Sequence, residues 1–329
     1  MNTALRLMRT AGFSLAQALI TVMGVVIIGF FLLNLLPGDA ADAFAGSSGS
    51  ASQETTAALR KSFGLDLPLF TRLISYLLNI CKLDFGQSIH YQAPVLSVIL
   101  SRLPSTFELM ASAFVIAIVF GIGFGWIMAA FARRWPDTVL TSVLLLLYSA
   151  PGFWLGLMAI VLFSVRLNWL PSGGSETVGA AFSGLEALSD KASHLVLPCL
   201  ALSLVYMAVY ARLTRSALLE VFGQDFMRAA KAKGLHPIVL QFRHGLRNAL
   251  IPVITVAGLH LGNLLGGAII VETVFNWPGI GRLTIDALIA RDFNILLGLL
   301  IISSALVVFS NSLIDVLVGI LDPRIGSGS

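Results

Sequence analysis

Charged residues are scarce in this chain. Asp, Glu, Lys and Arg make up 12% of its 329 residues, whereas hydrophobic residues make up 57%, and soluble domains average about 25% charged residues. This composition predicts a membrane protein whose apolar faces contact lipid or neighbouring helices. The net charge of +4 is small, and the Lys and Arg residues lie beside apolar runs. That arrangement favours control of membrane topology over nucleic-acid binding.

Cysteine and histidine patterns offer neither a disulfide framework nor a metal site. The two cysteines, Cys81 and Cys199, lie in a polar loop and an apolar run, respectively, so a disulfide between them is not expected. None of the histidines has a partner at a metal-ligand spacing such as i, i+4. We therefore predict no metal-binding and no catalytic residues in this chain.

The sequence also lacks a means of using ATP or a proton gradient. A phosphate-binding loop requires Gly-Lys followed by Ser or Thr, and none of the five lysines follows a glycine. Acidic residues lie only near the ends of the apolar runs, at Glu108, Glu272 and Asp315, and we expect Arg212 or Arg215 to pair with Asp315. Proton-coupled transporters usually bury ionisable groups near the midplane. If ATP drives this protein, another chain binds it.

Six apolar stretches are long enough to cross about 30 Å of hydrocarbon, and each is expected to be α-helical. Most of the Lys and Arg residues fall in the segments that share a side with the N-terminus, which predicts that both termini are cytoplasmic. The chain is therefore predicted to be an all-α polytopic membrane protein. Its six spans cover residues 13–36, 106–132, 138–165, 194–213, 249–273 and 294–320.

Four regions are expected along the chain. An N-terminal tail and first span occupy 1–36, and an extracytoplasmic helical lobe occupies 37–105. A five-helix core occupies 106–325, and a Gly-Ser tail at 326–329 resembles a cloning linker. Within the lobe we predict three helical pieces. Such a lobe either receives a soluble partner or covers the helix bundle. The three pieces are Glu54–Phe63, ending at Gly64; a helix from Pro68 to about Lys82; and Pro94–Arg102.

A basic cytoplasmic segment at 212–248 interrupts the apolar runs. Helix-forming residues extend from about Arg215 to Lys233, Gly234 is a natural stop, and Pro237 suits the start of another helix. This predicts a helix, a sharp turn and a short helix. The segment either docks on a partner or packs beneath its own bundle. Its apolar surface is expected at Phe222, Phe226, Met227, Ala229 and Ala230, and its cations are Arg212, Arg215, Arg228, Lys231, Lys233, Arg243 and Arg247.

Three polar residues of the fifth span are candidates for a translocation pathway. His260 and Asn263 are three apart and share a helix face, and Glu272 lies near the end of the span. A histidine that serves only a helix contact is the more common case. The segment that follows, Glu272–Arg282, is predicted to be either a re-entrant piece near an outer gate or a structural turn.

The cytoplasmic segment resembles the signature loop of permease subunits of ATP-binding-cassette (ABC) importers. That signature is Glu-Ala-Ala, three residues, Gly, nine residues, Ile, one residue and Leu-Pro. Ala229, Ala230, Gly234 and Leu246 match it, whereas Arg228, His244 and Arg247 replace Glu, Ile and Pro. These departures are typical of the dipeptide, oligopeptide and nickel permeases, and specifically of the first of their two paired subunits.

The resemblance to this branch covers nearly the whole chain. Its further motifs occur in order, and together they are specific, although each alone is weak. They are Leu36-Pro37-Gly38-Asp39, Phe63-Gly64-Leu65-Asp66-Leu67-Pro68, Leu83-Asp84-Phe85-Gly86, Arg102-Leu103-Pro104-Ser105-Thr106, Phe153-Trp154-Leu155-Gly156, His194-Leu195-Val196-Leu197-Pro198, Asn248-Ala249-Leu250-Ile251-Pro252, Phe275-Asn276-Trp277-Pro278-Gly279-Ile280-Gly281-Arg282 and Leu321-Asp322-Pro323-Arg324.

The resemblance implies a type I ABC importer architecture in a bacterial inner membrane. The implied partners are a second homologous permease, two cytoplasmic ATPases that bind ATP and Mg²⁺, and an external substrate-binding protein. No cofactor is expected on this chain. The substrate is expected to be a peptide, with nickel or a metal chelate as the alternative. A membrane scaffold that recruits a cytosolic partner without transport is the alternative of a different class. The implied ATPase-coupling residues are Arg228, Ala229, Ala230, Lys231, Gly234, Leu235 and His236.

Overall fold

A computed structural model describes the backbone of residues 20–35, 57, 60–61, 66–80, 82–88 and 90–321, without the side chains at 237, 261–265, 267 and 313–321. Within these residues the chain is helical apart from its connecting segments. The prediction of a helix at Glu54–Phe63 falls mostly outside them. The longer helices are α1 (Ile20–Leu35), α2 (Leu69–Ile80), α3 (Val95–Ala130), α4 (Trp135–Ser149), α5 (Gly152–Ala159), α6 (Leu185–Phe222), α7 (Asp225–Ala232), α8 (Arg247–Val274), α9 (Ile280–Ile289) and α10 (Phe293–Leu321).

The described residues form two compact units. One contains the residues up to Ser105 together with Gly279–Phe309, and the other contains Thr106–Pro278 together with the residues from Ser310 onward. In the first unit, Phe30 of α1, Leu73 of α2 and Leu297 of α10 form a buried apolar cluster. The predicted start of α2 is confirmed, because the Arg72 N–H donates to the Pro68 carbonyl and the helix begins at Leu69.

The predicted short helix at Pro94–Arg102 is not a separate piece. It is the first part of α3, a helix of 36 residues that extends for about 54 Å at 1.5 Å per residue. Pro104 lies inside α3 and removes one backbone donor without ending the helix. The helix therefore begins before the predicted span 106–132, and the start of the span itself stays a prediction.

The predicted span 138–165 is not one straight helix. It consists of α4 and of α5 with its π-helical continuation Ile160–Arg166, and the axes of the two parts differ by 104°. Pro151 explains the break, because its ring disfavours helical backbone at the preceding residue, and Ala150 is extended with φ −81° and ψ 141°.

Three described helices meet the length and hydropathy expected of a membrane span, namely α3, α6 and α10, and the bent pair is a fourth if its two halves cross together. The predicted span 194–213 is part of the much longer α6. The predicted spans 249–273 and 294–320 correspond to α8 and α10, and the described part of α1 falls within 13–36. The total of six spans stays a prediction.

In the second unit, α3 and α6 approach each other closely through glycines spaced four residues apart. A Cβ added at Gly121 would lie 2.8 Å from the Tyr210 Cβ, and one added at Gly125 would lie 2.5 Å from the Ala211 carbonyl oxygen. Small residues at this spacing allow helix backbones to pack closely in membranes. The contact fixes α6, which leads directly into the predicted coupling segment.

This packing predicts opposite effects for two neighbouring glycines of α3. Gly125→Ala is expected to destabilise the protein by about 1–3 kcal/mol, because the new methyl group has no room. Gly123→Ala is the control, since a Cβ there meets nothing within 4 Å, and it is expected to be neutral or to stabilise by up to about 1 kcal/mol. Thermal unfolding in detergent measures both changes, and equal shifts would contradict the close approach.

Candidate functional site

The segment between α6 and α8 is folded and contains one break that the sequence reasoning missed. The predicted helix from Arg215 to Lys233 is interrupted at Gly223 and Gln224. The Gly223 N–H donates to the Glu220 carbonyl at 3.0 Å, and Gln224 is extended, with ψ 152°. Glycine disfavours a helix interior, so Gly223 was a visible signal for this break.

The predicted turn at Gly234 is confirmed. Its φ is +76°, a conformation that glycine adopts without steric cost, and its N–H donates to the Lys231 carbonyl at 3.0 Å. Apart from the two neighbouring residues of the chain, no heavy atom of the described residues lies within 4 Å of a Cβ added there. The turn is therefore open to the surroundings on the side where a side chain would project.

The inner face of α7 packs against the helices of its own unit. Met227 is buried in a cluster that includes Leu218 and Val221 of α6 and Ala249 of α8, and Ala230, one turn further along α7, is also buried. Residues three apart share a helix face, so α7 is held along one stripe. Of the apolar residues predicted as exposed surface, Met227 and Ala230 thus support the loop from beneath, and Ala230 does not face outward.

The outer face of the segment carries the other predicted coupling residues. All six are exposed: Arg228, Ala229, Lys231, Gly234, Leu235 and His236. His236 also begins the next helical turn, because its Nδ1 accepts from the Ile238 N–H at 3.4 Å and its carbonyl accepts from the Leu240 N–H at 3.0 Å.

The second half of the segment is a short helical turn, Pro237–Val239, that continues as the π-helical stretch Leu240–Leu246. This stretch is held in place at two points. A Cβ added at Gly245 would lie 2.8 Å from the Phe222 Cε1, and the rings of Phe242 and Trp126 are 5.0 Å apart. π-Helical turns occur frequently at functional sites.

Large apolar side chains remain exposed on both sides of the Gly234 turn. They are Phe226 in α7 and Leu235, Ile238 and Val239 beyond the turn. Together with the six exposed coupling residues they form what we call the loop surface. Lys233 and Arg243 are also exposed. The ion pair between Arg228 and Asp225, at 3.4 Å within α7, is largely solvated and therefore weak. The loop surface therefore combines exposed apolar side chains with exposed cations.

A partly buried ion pair holds α6 about two turns before the loop. The Arg215 Nε and Nη2 atoms donate to the two Asp137 carboxylate oxygens at 2.7 and 2.8 Å. The Asp137 Oδ2 also accepts from the Arg133 N–H at 2.9 Å, where Arg133 adopts φ +63°. The expected pairing of Arg212 or Arg215 with Asp315 stays a prediction, because the Asp315 side chain lies outside the described residues. Bidentate pairing fixes the guanidinium plane as well as its distance.

Two of the pathway candidates, His260 and Glu272, do not meet at one site. His260 lies beside Tyr206 and Tyr210, with ring centroids 5.3 and 5.8 Å apart, and its Nδ1 is buried without a partner among the described residues. Glu272 is fully buried and accepts from the Thr106 hydroxyl at 2.7 Å. The side chain of Asn263 lies outside the described residues.

The chain between Glu272 and Trp277 is a tightly packed turn. The Trp277 N–H donates to the Glu272 carbonyl and the Gly174 N–H donates to the Phe275 carbonyl, both at 2.8 Å. Trp277 is fully buried. These contacts favour the structural-turn interpretation of this part of the segment.

Comparison with known proteins gives the family of the chain. Residues 121–327 match the family described as binding-protein-dependent transport system inner membrane component, and residues 7–110 match the N-terminal family of the same components. The chain belongs to this family. It is a transmembrane permease subunit of an ABC importer, and such subunits are transport components that work with ATPase and substrate-binding partners.

Two curated relatives and two solved structures are similar to this permease. The oligopeptide transport system permease AppB of Bacillus subtilis is 36% identical over 92% of this chain and 95% of its own length. The glutathione transport system permease GsiC of Escherichia coli is 38% identical over 93% and 94%. An inward-facing MetNI methionine ABC transporter covers 68% of this chain and 96% of its own at 17% identity, with a TM-score of 0.55. An amino acid ABC transporter has a TM-score of 0.51 at 15% identity over 68% and 94%. These two structures agree with the fold.

The two ion pairs of this region predict different stability effects. Asp137→Ala is expected to lower the free energy of unfolding by about 2–3 kcal/mol, because Arg215 loses its partner. The partial exposure of Arg215 keeps this loss below that of a fully buried pair. Arg228→Gln is the control and is expected to leave the unfolding temperature unchanged, since that pair is solvated.

Thermal unfolding in detergent checks both changes, and the double variant Asp137→Ala with Arg215→Ala tests the pairing directly. We expect the double variant to be less destabilised than the sum of the two single variants. Simple additivity would contradict the ion pair.

Proposed function

We propose that this permease forms half of a peptide translocation pathway and receives its energy through the loop surface. The other half of the pathway is a second homologous permease. Two cytoplasmic ATPase subunits bind ATP and Mg²⁺, and an external protein delivers the substrate. The chain itself binds no cofactor and catalyses no reaction.

The loop surface is the observation that carries this proposal. Its inner side is anchored by Met227, Ala230 and Gly245, whereas Phe226, Leu235, Ile238 and Val239 stay exposed. A large exposed apolar patch with a polar rim is typical of a protein–protein interface. The exposed cations of the same segment fit a partner surface that combines apolar and acidic residues.

Anchoring makes the loop a mechanical connection. α7 moves with the ends of α6 and α8 because it packs against both, and Arg215 ties α6 to the start of α4. ATP binding closes the ATPase pair, which brings the loop surfaces of the two permeases together and turns the helices outward. This is a rigid-body switch between two states that the ATPases bind with different affinity.

The proposed substrate class rests on the similarity of the chain to its relatives. AppB and GsiC are named for oligopeptide and glutathione transport, and their similarity extends along nearly the whole chain, so a peptide is favoured over nickel or a metal chelate. Peptide-dependent ATPase activity of the assembled complex tests this choice. A complex that assembles with its ATPases but transports nothing would support a scaffold instead.

The topology completes the proposal. The permease lies in the bacterial inner membrane with both termini and the loop surface in the cytoplasm. His260, with the neighbouring rings of Tyr206 and Tyr210, is the best-placed pathway candidate, because its buried Nδ1 lacks a partner among the described residues. Asn263 shares its helix, and Glu272 supports the packing of the pathway rather than lining it.

Substitutions of Gly234 separate the shape of the turn from contact with the partner. Asn and Asp tolerate a positive φ better than Ala does, but they add more bulk on the open side. We expect Gly234→Asn and Gly234→Asp to uncouple ATP hydrolysis from transport, and Gly234→Ala to retain most of the coupling. ATPase activity and peptide uptake in proteoliposomes measure this. A reversed order, with Asn tolerated and Ala not, would show that only the turn conformation matters.

The exposed apolar residues provide an independent test. Ile238→Asp is expected to weaken binding of the ATPase subunits by about tenfold or more, which corresponds to at least about 1.4 kcal/mol. Val178→Asp is the matched control, because Val178 is highly exposed in a different connecting segment. Co-purification and titration with the ATPase subunits measure binding, and equal effects of both variants would contradict docking on the loop surface.

A further inference from the structure

Helix α2 exposes an apolar stripe that nothing in the chain covers among the described residues. Phe70, Ile74 and Leu78 are 69%, 44% and 59% exposed, and their spacing of four residues places them on one face. Leu73 lies on a different face of α2 and is buried against the protein, with an exposure of 6%. The residues of the apolar stripe are therefore not the ones that pack α2 against the protein.

A polar stripe runs beside the apolar one. Thr71, Ser75 and Asn79 share the same spacing of four residues and are also exposed. The helix thus has three longitudinal faces, one against the protein, one apolar and one polar. A helix that lies along the surface of a bilayer has this division, because one side meets acyl chains and the other meets water.

The neighbours of α2 place it near the end of the hydrocarbon layer. It packs on Phe30 of α1 and Leu297 of α10, and the rings of Phe30 and Tyr76 stack with centroids 6.2 Å apart. Phe30 lies six residues before residue 36, the end of the predicted span 13–36, and Leu297 lies four residues after α10 begins. At 1.5 Å per residue, both contacts lie within about 9 Å of those positions.

Helix α1, on which α2 packs, is itself exposed to lipid. Ile28, Leu32 and Leu35 are exposed along α1, and side chains of this kind on an apolar span face lipid. They lie on the face opposite Phe30, which contacts α2, so α2 packs on a span that meets lipid on its other side. Acyl chains are therefore the occupant that these observations favour.

We infer that α2 lies in the membrane interface as an amphipathic anchor. Phe70, Ile74 and Leu78 insert among the acyl chains of the leaflet in which α1 ends and α10 begins, and Thr71, Ser75 and Asn79 face water. The anchor holds the unit that contains α1, α9 and the first part of α10 at a fixed depth. This role is independent of the proposed coupling to ATPases.

Site-directed spin labelling tests the inference in the assembled transport complex reconstituted into lipid bilayers. After Cys81→Ser and Cys199→Ala, single cysteines at 70, 74 and 78 are labelled, with 71, 75 and 79 as matched positions on the polar stripe. Collision with oxygen, which partitions into lipid, is compared with collision with a water-soluble nickel chelate. Unfolding temperatures show that each labelled variant is folded.

We expect the oxygen-to-nickel collision ratio to be several-fold higher at 70, 74 and 78 than at 71, 75 and 79. Two outcomes would overturn the inference. Nickel access at all six positions would place the apolar stripe in water. Shielding of 70, 74 and 78 from both reagents would mean that a protein covers the stripe, either the external binding protein or the second permease.

Discussion

Met227 packs one face of α7 against Leu218 and Val221 near the end of α6, Ala230 is buried on the same face, and this packing determines what the rest of the loop can do. A segment that is free on all sides cannot transmit a force, and one that is buried on all sides cannot receive a partner. Burial along a single stripe leaves Arg228, Lys231 and the Gly234 turn exposed while connecting them rigidly to the helices. The long α6 then extends this connection into the membrane.

The position of α6 depends on two kinds of contact made far from the loop in sequence. Gly121 and Gly125 allow α3 to approach it closely, and Asp137 holds Arg215 with two hydrogen bonds. The first contact depends on close packing of the two helices, and the second depends on opposite charges that are partly shielded from water. Together they resist sliding and rotation of α6, so movement of the loop is passed on as movement of whole helices.

The sequence predicts those features that depend on local chemistry. Pro68 marks the start of α2, and Gly234 marks a turn with positive φ, because each residue restricts or permits a particular backbone conformation. Prolines inside apolar runs have two different outcomes. Pro151 breaks a span, whereas Pro104, Pro198 and Pro252 lie inside helices. The local sequence does not decide between these outcomes, since tertiary packing can compensate for the lost hydrogen bond.

The features that were missed depend on contacts between distant residues. Asp137 and Arg215 are 78 residues apart, and nothing in either local sequence identifies the other as its partner. Ala230 belongs to the family motif, but its burial becomes visible only when α7 is placed on α6. The family motif therefore identifies the loop, whereas the structure distinguishes its supporting residues from its exposed ones.

Hydrogen exchange of the permease with and without its ATPase subunits tests the central claim most directly. The account predicts that the ATPases slow amide exchange in the exposed residues around Gly234, between Arg228 and Val239, because docking removes them from water. Exchange around α2 should stay unchanged. Unaltered exchange around Gly234 in a complex that hydrolyses ATP and takes up peptide would contradict the account.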